Sequence, residues 1–408
     1  MKCRFCKNPL SHELVDLINS PPSNSYLHAE QLSEPEVFYP LRVFVCEKCF
    51  LVQIDEYKKA NEIFDQNYAY FSSFSKSWLE HSKKYVEMMC RRFGFDENSQ
   101  VIEIASNDGY LLQYFKAKNV PVLGIEPTLS TAQAARGKGI ETWTEFFGTE
   151  LAEKLVEKNL PADLLLGNNV LAHVPDINDF VGGLQIALKN DGVVTMEFPH
   201  LLELIENNQF DTIYHEHFSY FSFHTVREIF AAHGLTLFDV EEIPTHGGSL
   251  RIFAKHAENE NLETTENVEN LLAKEKQAGM LELDYYLNFQ TKADKVKYDF
   301  LSFLIEQKRA GKKIAAYGAA AKGNTLLNYC GVKNDLIDFV VDASPYKRNL
   351  FLPASHIPIV DESFIKREKP DFVIILPWNI KEEIFVQLDY IREWNAKFVV
   401  AIPKLEVS

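Results

Sequence analysis

The strongest constraint on the fold is the repeated alternation of short apolar runs with segments of helical periodicity. The first apolar runs are residues 100–104, 121–125, 163–166 and 192–198. Segments with a helical pattern lie between them, such as residues 130–138 and 149–158. Because strands that alternate with helices form crossover units, this pattern predicts an α/β fold with a mainly parallel, doubly wound sheet.

Later runs predict the end of this sheet and the start of another. Residues 235–240 and 249–254 predict two closing strands. Residues 258–308 are charged, free of proline and apolar at helical intervals, which predicts long connecting helices. A new strand–loop–helix unit follows, and its apolar runs are residues 313–317, 337–341, 371–376 and 397–401. This last part is predicted to be a Rossmann-like domain.

Two Cys-x-x-Cys pairs near the N-terminus predict a metal site. They are Cys3 with Cys6 and Cys46 with Cys49, and 39 residues separate the pairs. This spacing lets four thiolates converge on one tetrahedral ion, although the separation exceeds that of a usual zinc ribbon. A redox pair or inert buried thiols are the alternatives. We predict a structural Zn²⁺ site, because four protein ligands leave no position for catalysis.

These patterns divide the chain into four parts. We predict a zinc-binding module with strands near residues 41–45 and 50–54, and a helix near residues 75–92 that follows it. The predicted boundaries are residues 1–70 for the module, 71–258 for the first α/β domain, 259–308 for the connecting helices and 309–408 for the Rossmann-like domain.

Charge and hydropathy exclude some classes of partner. The 408 residues include 42 Lys and Arg against 58 Asp and Glu, a net charge of −16 that repels phosphate backbones. We therefore expect no nucleic-acid substrate. The first residues do not form a signal peptide, and no run approaches the about 18 apolar residues of a membrane span. We expect a cytoplasmic monomer without a membrane partner.

A polar turn after the first strand of the α/β series predicts a site for an adenosine-containing cofactor. Such a turn lets the backbone approach the ligand closely. The next strand ends in Glu126, where an acidic side chain can accept hydrogen bonds from ribose hydroxyls. Only one of the three glycines usual in such a turn is present, so an ordinary strand-to-helix turn without a ligand is the alternative interpretation. The candidate contacts in the turn are Glu103, Ala105, Asn107, Asp108 and Gly109.

The segment 211–222 concentrates side chains that can carry protons. Tyr214, His215, Glu216 and His217 are consecutive and are surrounded by aromatic residues. If they share a pocket, they could take a proton from a ligand and stabilise the resulting anion. A strand with partly buried histidines is the alternative, and its alternation would put the two histidines on the face opposite Tyr214 and Glu216. A metal bound by both histidines would lack a clear third ligand.

Several motifs together resemble those of one family. They are residues 103–112, 167–176, 197–200, 214–217, 245–251, 316–327 and 377–380. They resemble the S-adenosylmethionine-dependent C-methyltransferases of nucleotide-linked deoxysugars, and with the cysteine pairs the similarity covers essentially the whole chain. Ala320 stands where proline is expected in this pattern. The resemblance implies a class I methyltransferase core over residues 71–258 and S-adenosylmethionine as the cofactor.

The resemblance also implies a reaction and its residues. The substrate would be a nucleotide-linked 4-keto-6-deoxy sugar, methylated at C3 through an enolate. His217 would be the base that removes the C3 proton, with Glu216 and Tyr214 as polarising and positioning groups. This is chemically reasonable, because a neutral imidazole is a base near pH 7 and a phenol or carboxyl can donate to an enolate oxygen.

Other polar residues are candidates for contacts to the same ligands. Asn168 and Asn169 follow a predicted strand, at the carboxyl edge where α/β sheets bind ligands, and the resemblance places such residues close to the cofactor and the sugar. Tyr70, before the first predicted helix, is a candidate cover for the cofactor, and packing between modules is its alternative. For the sugar or phosphate the candidates are His173, His246 and Arg251. Structural roles remain open for these residues.

The loop from Gly318 to Gly323 resembles a phosphate loop only superficially. Its Lys322 precedes the second glycine, whereas a P-loop lysine follows it, so nucleotide hydrolysis is unsupported. A glycine-rich turn before a helix can still bind a diphosphate through backbone N–H groups. Lys322 would add charge, and Asp342 could accept from ribose. We interpret Lys347 and Arg348 as part of a solvated loop.

Two other functions stay open at this stage. A nicotinamide-dependent oxidoreductase or epimerase could use either Rossmann-like unit, but neither loop contains Gly-x-Gly-x-x-Gly. A non-catalytic nucleotide-sugar-binding protein would keep the C-terminal loop but would not need Glu216 and His217. Both residues are present, which favours an enzyme over this alternative.

Overall fold

The computed structural model describes residues 1–57 and 71–408. Within these ranges the β-strands are β1 His12–Ser20, β2 Tyr39–Val45, β3 Val52–Ile54, β4 Val101–Ile104, β5 Val122–Ile125, β6 Thr142–Trp143, β7 Ala162–Asn168, β8 Leu188–Pro199, β9 Ser219–Tyr220, β10 Leu235–Ile243, β11 Ser249–His256, β12 Ile314–Tyr317, β13 Phe339–Val341, β14 Ile359–Val360, β15 Phe372–Ile375, β16 Lys397–Val400 and β17 Glu406–Val407. The α-helices are α1 Lys76–Phe93, α2 Leu112–Lys116, α3 Leu129–Gly137, α4 Thr149–Glu157, α5 Ile177–Ala187, α6 Leu201–Glu206, α7 Phe223–Ala231, α8 Glu266–Ala278, α9 Asp284–Leu287, α10 Phe289–Arg309, α11 Ala321–Cys330, α12 Ser363–Glu368 and α13 Lys381–Gln387. None of these described helices combines the length and the apolar composition needed to cross a bilayer.

The first large sheet has seven strands in the order β10-β11-β8-β7-β4-β5-β6. The strands from β8 to β6 in this order are parallel, whereas β11 runs antiparallel to both of its neighbours. Every residue of β4 is buried, as expected for a central strand covered on both faces. This sheet confirms the α/β architecture that the alternating apolar runs predict.

The second large sheet has six strands in the order β14-β13-β12-β15-β16-β17. All pairs are parallel except β16 with β17. From β12, the next two strands along the chain are added on one side and the later strands on the other side. This change of side is the Rossmann-like pattern. Ligands of such sheets bind beyond the carboxyl ends of the strands, so β12 and β4 mark where sites are expected.

A four-stranded sheet forms around the N-terminal module, in the order β1-β2-β3-β9. The pairing of β3 with β9 joins Val52 to Tyr220 and Gln53 to Ser219. The sequence patterns did not predict β1 or β9. A two-residue strand has no periodicity of its own, and β9 exists only because β3 provides its hydrogen-bonding partner.

One hydrophobic core joins the N-terminal and C-terminal sheets. One buried cluster contains Leu14 and Val43 of the N-terminal sheet and Ile314 of β12. Phe300 and Leu304 of α10 belong to the same cluster. Each large apolar side chain buried in this way contributes about 1.5–3 kcal/mol. The long helix α10 therefore connects the two sheets by packing, and it confirms the helices predicted for residues 258–308.

The four N-terminal cysteines converge. The Sγ atoms of Cys3 and Cys49 are 3.6 Å apart, those of Cys6 and Cys46 are 3.5 Å apart, and all four lie within 4.8 Å of one another. A tetrahedral Zn²⁺ with bonds of about 2.3 Å separates its sulfur ligands by roughly 3.8 Å. The thiols therefore fit a four-cysteine zinc site with little rearrangement.

Removing the metal should destabilise the protein. We expect Cys46→Ser to lose the bound zinc and to lower Tm by about 5 °C or more, because a structural zinc contributes folding free energy directly. The measurements are zinc content by elemental analysis and thermal unfolding. Cys90→Ser is the matched control, because Cys90 is a thiol outside the cluster. A Cys46→Ser protein that keeps one zinc per chain would contradict the assignment.

Candidate active site

A cavity of about 630 Å³ lies between the carboxyl ends of the two large sheets. Residues that follow β4, β5 and β7 line one side, and residues that follow β12 and β15 line the other. Further wall residues come from the segment 212–217 and from Asn24 of the N-terminal module. Three separate parts of the chain therefore enclose one space.

The cavity collects most of the residues predicted from the sequence. Those that line it are Ala105, Asn107, Glu126, Asn168, Asn169, His173, Tyr214, Glu216, His217, His246 and Lys322. Those that do not line it are Glu103, Asp108, Gly109, Arg251, Gly318 and Asp342. Tyr70 and its neighbour Tyr68 lie outside the described residues.

Glu126 organises the first sheet's edge of the cavity. Its Oε2 accepts a hydrogen bond of 2.9 Å from the backbone N–H of Asn107, and its Oε1 accepts one of 2.8 Å from that of Thr128. Burial raises the pKa of this carboxyl. Ala105 and Asn107 have φ angles of 55° and 49°, a costly conformation for side-chain-bearing residues that is concentrated at ligand sites.

Three residues that were predicted to contact the cofactor lie outside the cavity lining, although they are part of the same strand and turn. Asp108 accepts a hydrogen bond from Ser73 and pairs with Lys138. Gly109 has φ of 74°, a conformation that favours glycine, and a Cβ there would lie 2.4 Å from Cδ1 of Ile140. Glu103 is fully buried in β4, and this burial raises its pKa well above the ordinary value.

The segment 214–217 is a tight turn, so the expected alternation of an extended strand is wrong here. The backbone N–H of His217 donates to the carbonyl of Tyr214 at 2.9 Å. This closure brings the hydroxyl of Tyr214 to 2.8 Å from Nε2 of His217. Tyr214, Glu216 and His217 therefore reach the same cavity, which alternation would have prevented.

The imidazole of His217 has a defined tautomer. Its Nδ1 lies 2.9 Å from the carbonyl oxygen of Thr212, which can only accept, so Nδ1 carries the hydrogen. Its Nε2 then has the lone pair, which accepts from the hydroxyl of Tyr214. Burial, followed by the neighbouring His173, lowers the pKa of His217 well below its ordinary value. The ring is therefore neutral at pH 7.

Two more histidines at the cavity are neutral. Nδ1 of His173 lies 2.8 Å from the carbonyl oxygen of Glu216, and burial lowers the pKa of His173 to about 4. Nε2 of His246 lies 3.1 Å from the amide nitrogen of Asn169, and burial lowers the pKa of His246 to about 4. Both imidazoles are therefore neutral at pH 7.

His215 faces away from this group. Its Nε2 lies 3.2 Å from the carbonyl oxygen of Pro40, and its ring packs against Tyr39 and Tyr57. In the described part of the chain, the groups that could hold a metal include neither His215 nor His217. The alternative of a metal bound by these two histidines is therefore wrong.

The C-terminal sheet brings two lysines to the cavity. Nζ of Lys322 donates to Oδ1 of Asn379 at 2.8 Å and lies 4.7 Å from the ring centre of Trp378. Burial lowers the pKa of Lys322, and the nearby Asp211 opposes this effect. Nζ of Lys347 donates to the carbonyl of Ala319 at 2.7 Å and lines the cavity, which corrects its interpretation as part of a solvated loop.

Arg251, Asp342 and Gly318, which were predicted to contact the substrate, do not line the cavity, and each has defined surroundings within the protein. Arg251 is buried in ion pairs with Glu197 and Glu241, which are its partners across the sheet. Asp342 accepts from the backbone N–H groups of Ala319 and Ser344, at 2.7 and 2.8 Å. Gly318 has φ of 91°, and a Cβ there would lie 2.5 Å from Cδ of Pro377, so it allows two loops to approach.

Sequence reasoning missed several wall residues. Trp78 of α1 and the pair Phe146 and Phe147 line the cavity, as does Asn24. The double phenylalanine after a short strand was a usable signal for an aromatic ligand surface. Asn24 lies in a proline- and serine-containing loop that carries no recognisable motif.

The buried neutral histidines should make stability depend on pH. The unfolded chain protonates His173 below about pH 6.5, whereas the folded protein holds it neutral down to about 4. The unfolded state binds more protons in this window, so this group removes stability as pH falls through it. We expect the free energy of unfolding of His173→Asn to rise relative to that of the parent protein as pH is lowered from 6.5 to 4.5, by about 1 kcal/mol for each pH unit.

Urea unfolding of both proteins across this pH range measures the difference. Carboxyls with a raised pKa, such as Asp211 at about 6, stabilise the folded protein as pH falls, which is the opposite effect. Because both proteins contain these carboxyls, their contribution cancels in the difference between the two free energies of unfolding. A stability difference that stays constant with pH would contradict a neutral buried His173.

One solved structure and one further protein align with part of the chain. Magnesium protoporphyrin IX methyltransferase ChlM from Synechocystis PCC 6803, determined with bound SAH, is 13% identical and aligns over 48% of this chain and 90% of its own, with a TM-score of 0.35. Ubiquinone biosynthesis O-methyltransferase of Bartonella quintana is 25% identical over 116 residues, which are 26% of this chain and 47% of that protein.

Family models and a full-length relative cover nearly the whole chain. Residues 3–64 match a model described as "Putative zinc binding domain", residues 78–240 match "Methyltransferase domain" and residues 244–403 match "C-methyltransferase C-terminal domain". C-methyltransferase NovU of Streptomyces niveus is 33% identical over 406 residues, covering 100% of this chain and 96% of that protein. With its four-cysteine module and its class I sheet, the chain belongs to the family of S-adenosylmethionine-dependent C-methyltransferases.

Proposed function

We propose that this enzyme transfers a methyl group to C3 of a nucleotide-linked 4-keto-6-deoxy sugar. The observation that carries the proposal is the neutral imidazole of His217, with its Nδ1–H bound by Thr212 and its Nε2 lone pair directed at Tyr214 in the cavity. A hydrogen on the carbon beside a ketone is acidic enough for such a base to remove.

The proposed reaction begins with proton transfer from C3 to Nε2 of His217. The electron pair of the C3–H bond becomes the enolate, whose charge lies mostly on the C4 oxygen. The hydroxyl of Tyr214, which donates to Nε2 before the substrate binds, would turn to donate to this oxygen, and Glu216 would position the sugar. Bound S-adenosylmethionine supplies the methyl group that C3 takes, and its sulfur keeps the electrons of the broken S–CH₃ bond.

The first sheet offers the site for the cofactor. Backbone groups of the turn at Ala105 and Asn107 line the cavity beside the carboxyl of Glu126, where ribose hydroxyls bind in such folds. Asn168 and Asn169 continue this wall from the end of β7. The side-chain oxygen and nitrogen of Asn168 are buried without a hydrogen-bond partner among the described residues, which favours a polar ligand there.

The second sheet offers the site for the nucleotide diphosphate. Ala320, Ala321 and Lys322 line the cavity at the start of α11, a helix of ten residues whose N-terminal N–H groups attract anions. Lys347 adds a second ammonium group at the same wall. We propose that residues 309–408 form this nucleotide-binding domain, after the module 1–70, the core 71–258 and the helices 259–308.

The base can be tested by replacing His217 with asparagine. The asparagine amide in His217→Asn can still donate to the carbonyl of Thr212, but it places no basic nitrogen at the position of Nε2. We therefore expect the rate of methylation to fall by about 100-fold or more. Solvent deuterium exchange at C3 should fall equally, while S-adenosylmethionine binding stays within about 3-fold. Suitable probes are dTDP- and GDP-linked 4-keto-6-deoxyhexoses, followed by mass spectrometry and NMR.

The neighbouring His215→Asn is the control, since His215 does not line the cavity. Exchange at C5, which also adjoins the ketone, tests the position of attack: exchange at C5 and not at C3 would refute the proposal. Undiminished C3 exchange in His217→Asn would refute the role of His217.

The nucleotide site can be tested by removing one charge. We expect Lys322→Met to raise KM for the nucleotide sugar by about 10-fold or more, because a charged contact to phosphate contributes about 1.5–3 kcal/mol. The affinity for S-adenosylmethionine, measured by calorimetry, should stay unchanged. Lys404→Met is the matched control, because that side chain is 77% exposed and does not line the cavity. An unchanged KM in Lys322→Met would place the diphosphate elsewhere.

A further inference from the structure

A loop of the N-terminal module reaches the proposed reaction site. The chain between β1 and β2 passes through Asn24, which lines the cavity although it is 192 residues away from Glu216. Nδ2 of Asn24 donates a hydrogen bond of 2.7 Å to Oε1 of Glu216. Asn24 itself is exposed at the cavity wall, whereas Glu216 is buried.

Residues that follow β12 in the C-terminal domain bind this loop on both sides of Asn24. The amide nitrogen of Asn324, on α11, donates to the carbonyl of Ser23 at 2.6 Å. The hydroxyl of Tyr26 donates to the carbonyl of Ala319 at 2.6 Å. Because both flanking residues are bound to the same region of the protein, the position of Asn24 is fixed by tertiary contacts rather than by local structure.

The same helix also holds the turn that carries Glu216. Oγ1 of Thr325, one residue after Asn324, donates to the carbonyl of Ile213 at 2.9 Å. Oγ of Ser23 lies 3.4 Å from that same hydroxyl. The helix α11 therefore sets the distance between the loop of Asn24 and the turn 214–217.

We propose that Asn24 is a positioning residue for Glu216, supplied to the active site by the zinc-binding module. This inference rests on the proposed function, in which Glu216 positions the substrate. A neutral amide donor orients one carboxyl oxygen and leaves the net charge of the site unchanged. A carboxyl at the same place would lie within about 3 Å of Glu216, and two carboxyls so close cannot both ionise readily.

Two substitutions of Asn24 separate this role from a merely structural one. We expect Asn24→Ala to lower kcat for methylation by about 10-fold, with KM for the nucleotide sugar and affinity for S-adenosylmethionine within about 3-fold. We expect Asn24→Asp to move the kcat–pH profile to higher pH by about one unit, because the second carboxyl favours protonation of the pair. This direction holds whether Glu216 acts ionised or protonated.

The control is Ser25→Ala, which changes an adjacent exposed residue and should leave kcat and its pH profile unaltered. Thermal unfolding of each variant shows whether the loop still folds, and the nearly isosteric Asn24→Asp keeps the test valid if Asn24→Ala is unstable. The probes are again dTDP- and GDP-linked 4-keto-6-deoxyhexoses.

The outcomes distinguish the two proposals. If the parent protein shows neither C3 exchange nor methylation with either probe, the proposed function fails. If the parent protein is active, but Asn24→Ala keeps its kcat and Asn24→Asp keeps the parent pH profile, the role of Asn24 is wrong and the proposed function stands. A lower kcat in Asn24→Ala together with a shifted profile in Asn24→Asp supports the role.

Discussion

The pairing of β3 with β9 is the constraint on which the site depends. It binds Val52 and Gln53, which follow the second cysteine pair, to Tyr220 and Ser219, which lie just after the turn 214–217. The side chain of Gln53 also accepts from the backbone N–H of Arg4, between the first pair of cysteines. The hairpin that carries the second cysteine pair and the segment that follows the turn 214–217 are therefore parts of one hydrogen-bonded sheet.

The other end of the same turn is held from the C-terminal side. Thr325 binds the carbonyl of Ile213, and Nε1 of Trp378 donates to Oδ2 of Asp211 at 2.7 Å. The turn is thus fixed between two parts of the chain that share one hydrophobic core through α10. This arrangement encloses the half-buried ring of His217 and lowers its pKa, while the carbonyl of Thr212 fixes which nitrogen carries the lone pair.

Local patterns predicted the sheets well and the side-chain contacts only partly. The strand that precedes Glu126 was predicted from its apolar run, and Glu126 lines the cavity at the end of that strand, because the periodicity of a strand is a property of adjacent residues. The ion pair of Arg251 with Glu197 was not predicted, because Glu197 lies across the sheet on β8 and a sequence does not state which charges will pair there. Lys347 was interpreted as solvated for the same reason: its contact with Ala319 exists only after two loops of the C-terminal sheet meet.

By itself, the sequence determined the zinc ligands, the two doubly wound sheets and the group of residues from Tyr214 to His217, because spacing, periodicity and composition are encoded locally. The tertiary structure decided which of those residues face one another. It bent the turn so that Tyr214 reaches His217, turned His215 towards Pro40, and brought Asn24 to Glu216 across 192 residues. Such contacts depend on the packing of distant segments, whose free energy is distributed over the whole core and leaves no local pattern in the chain.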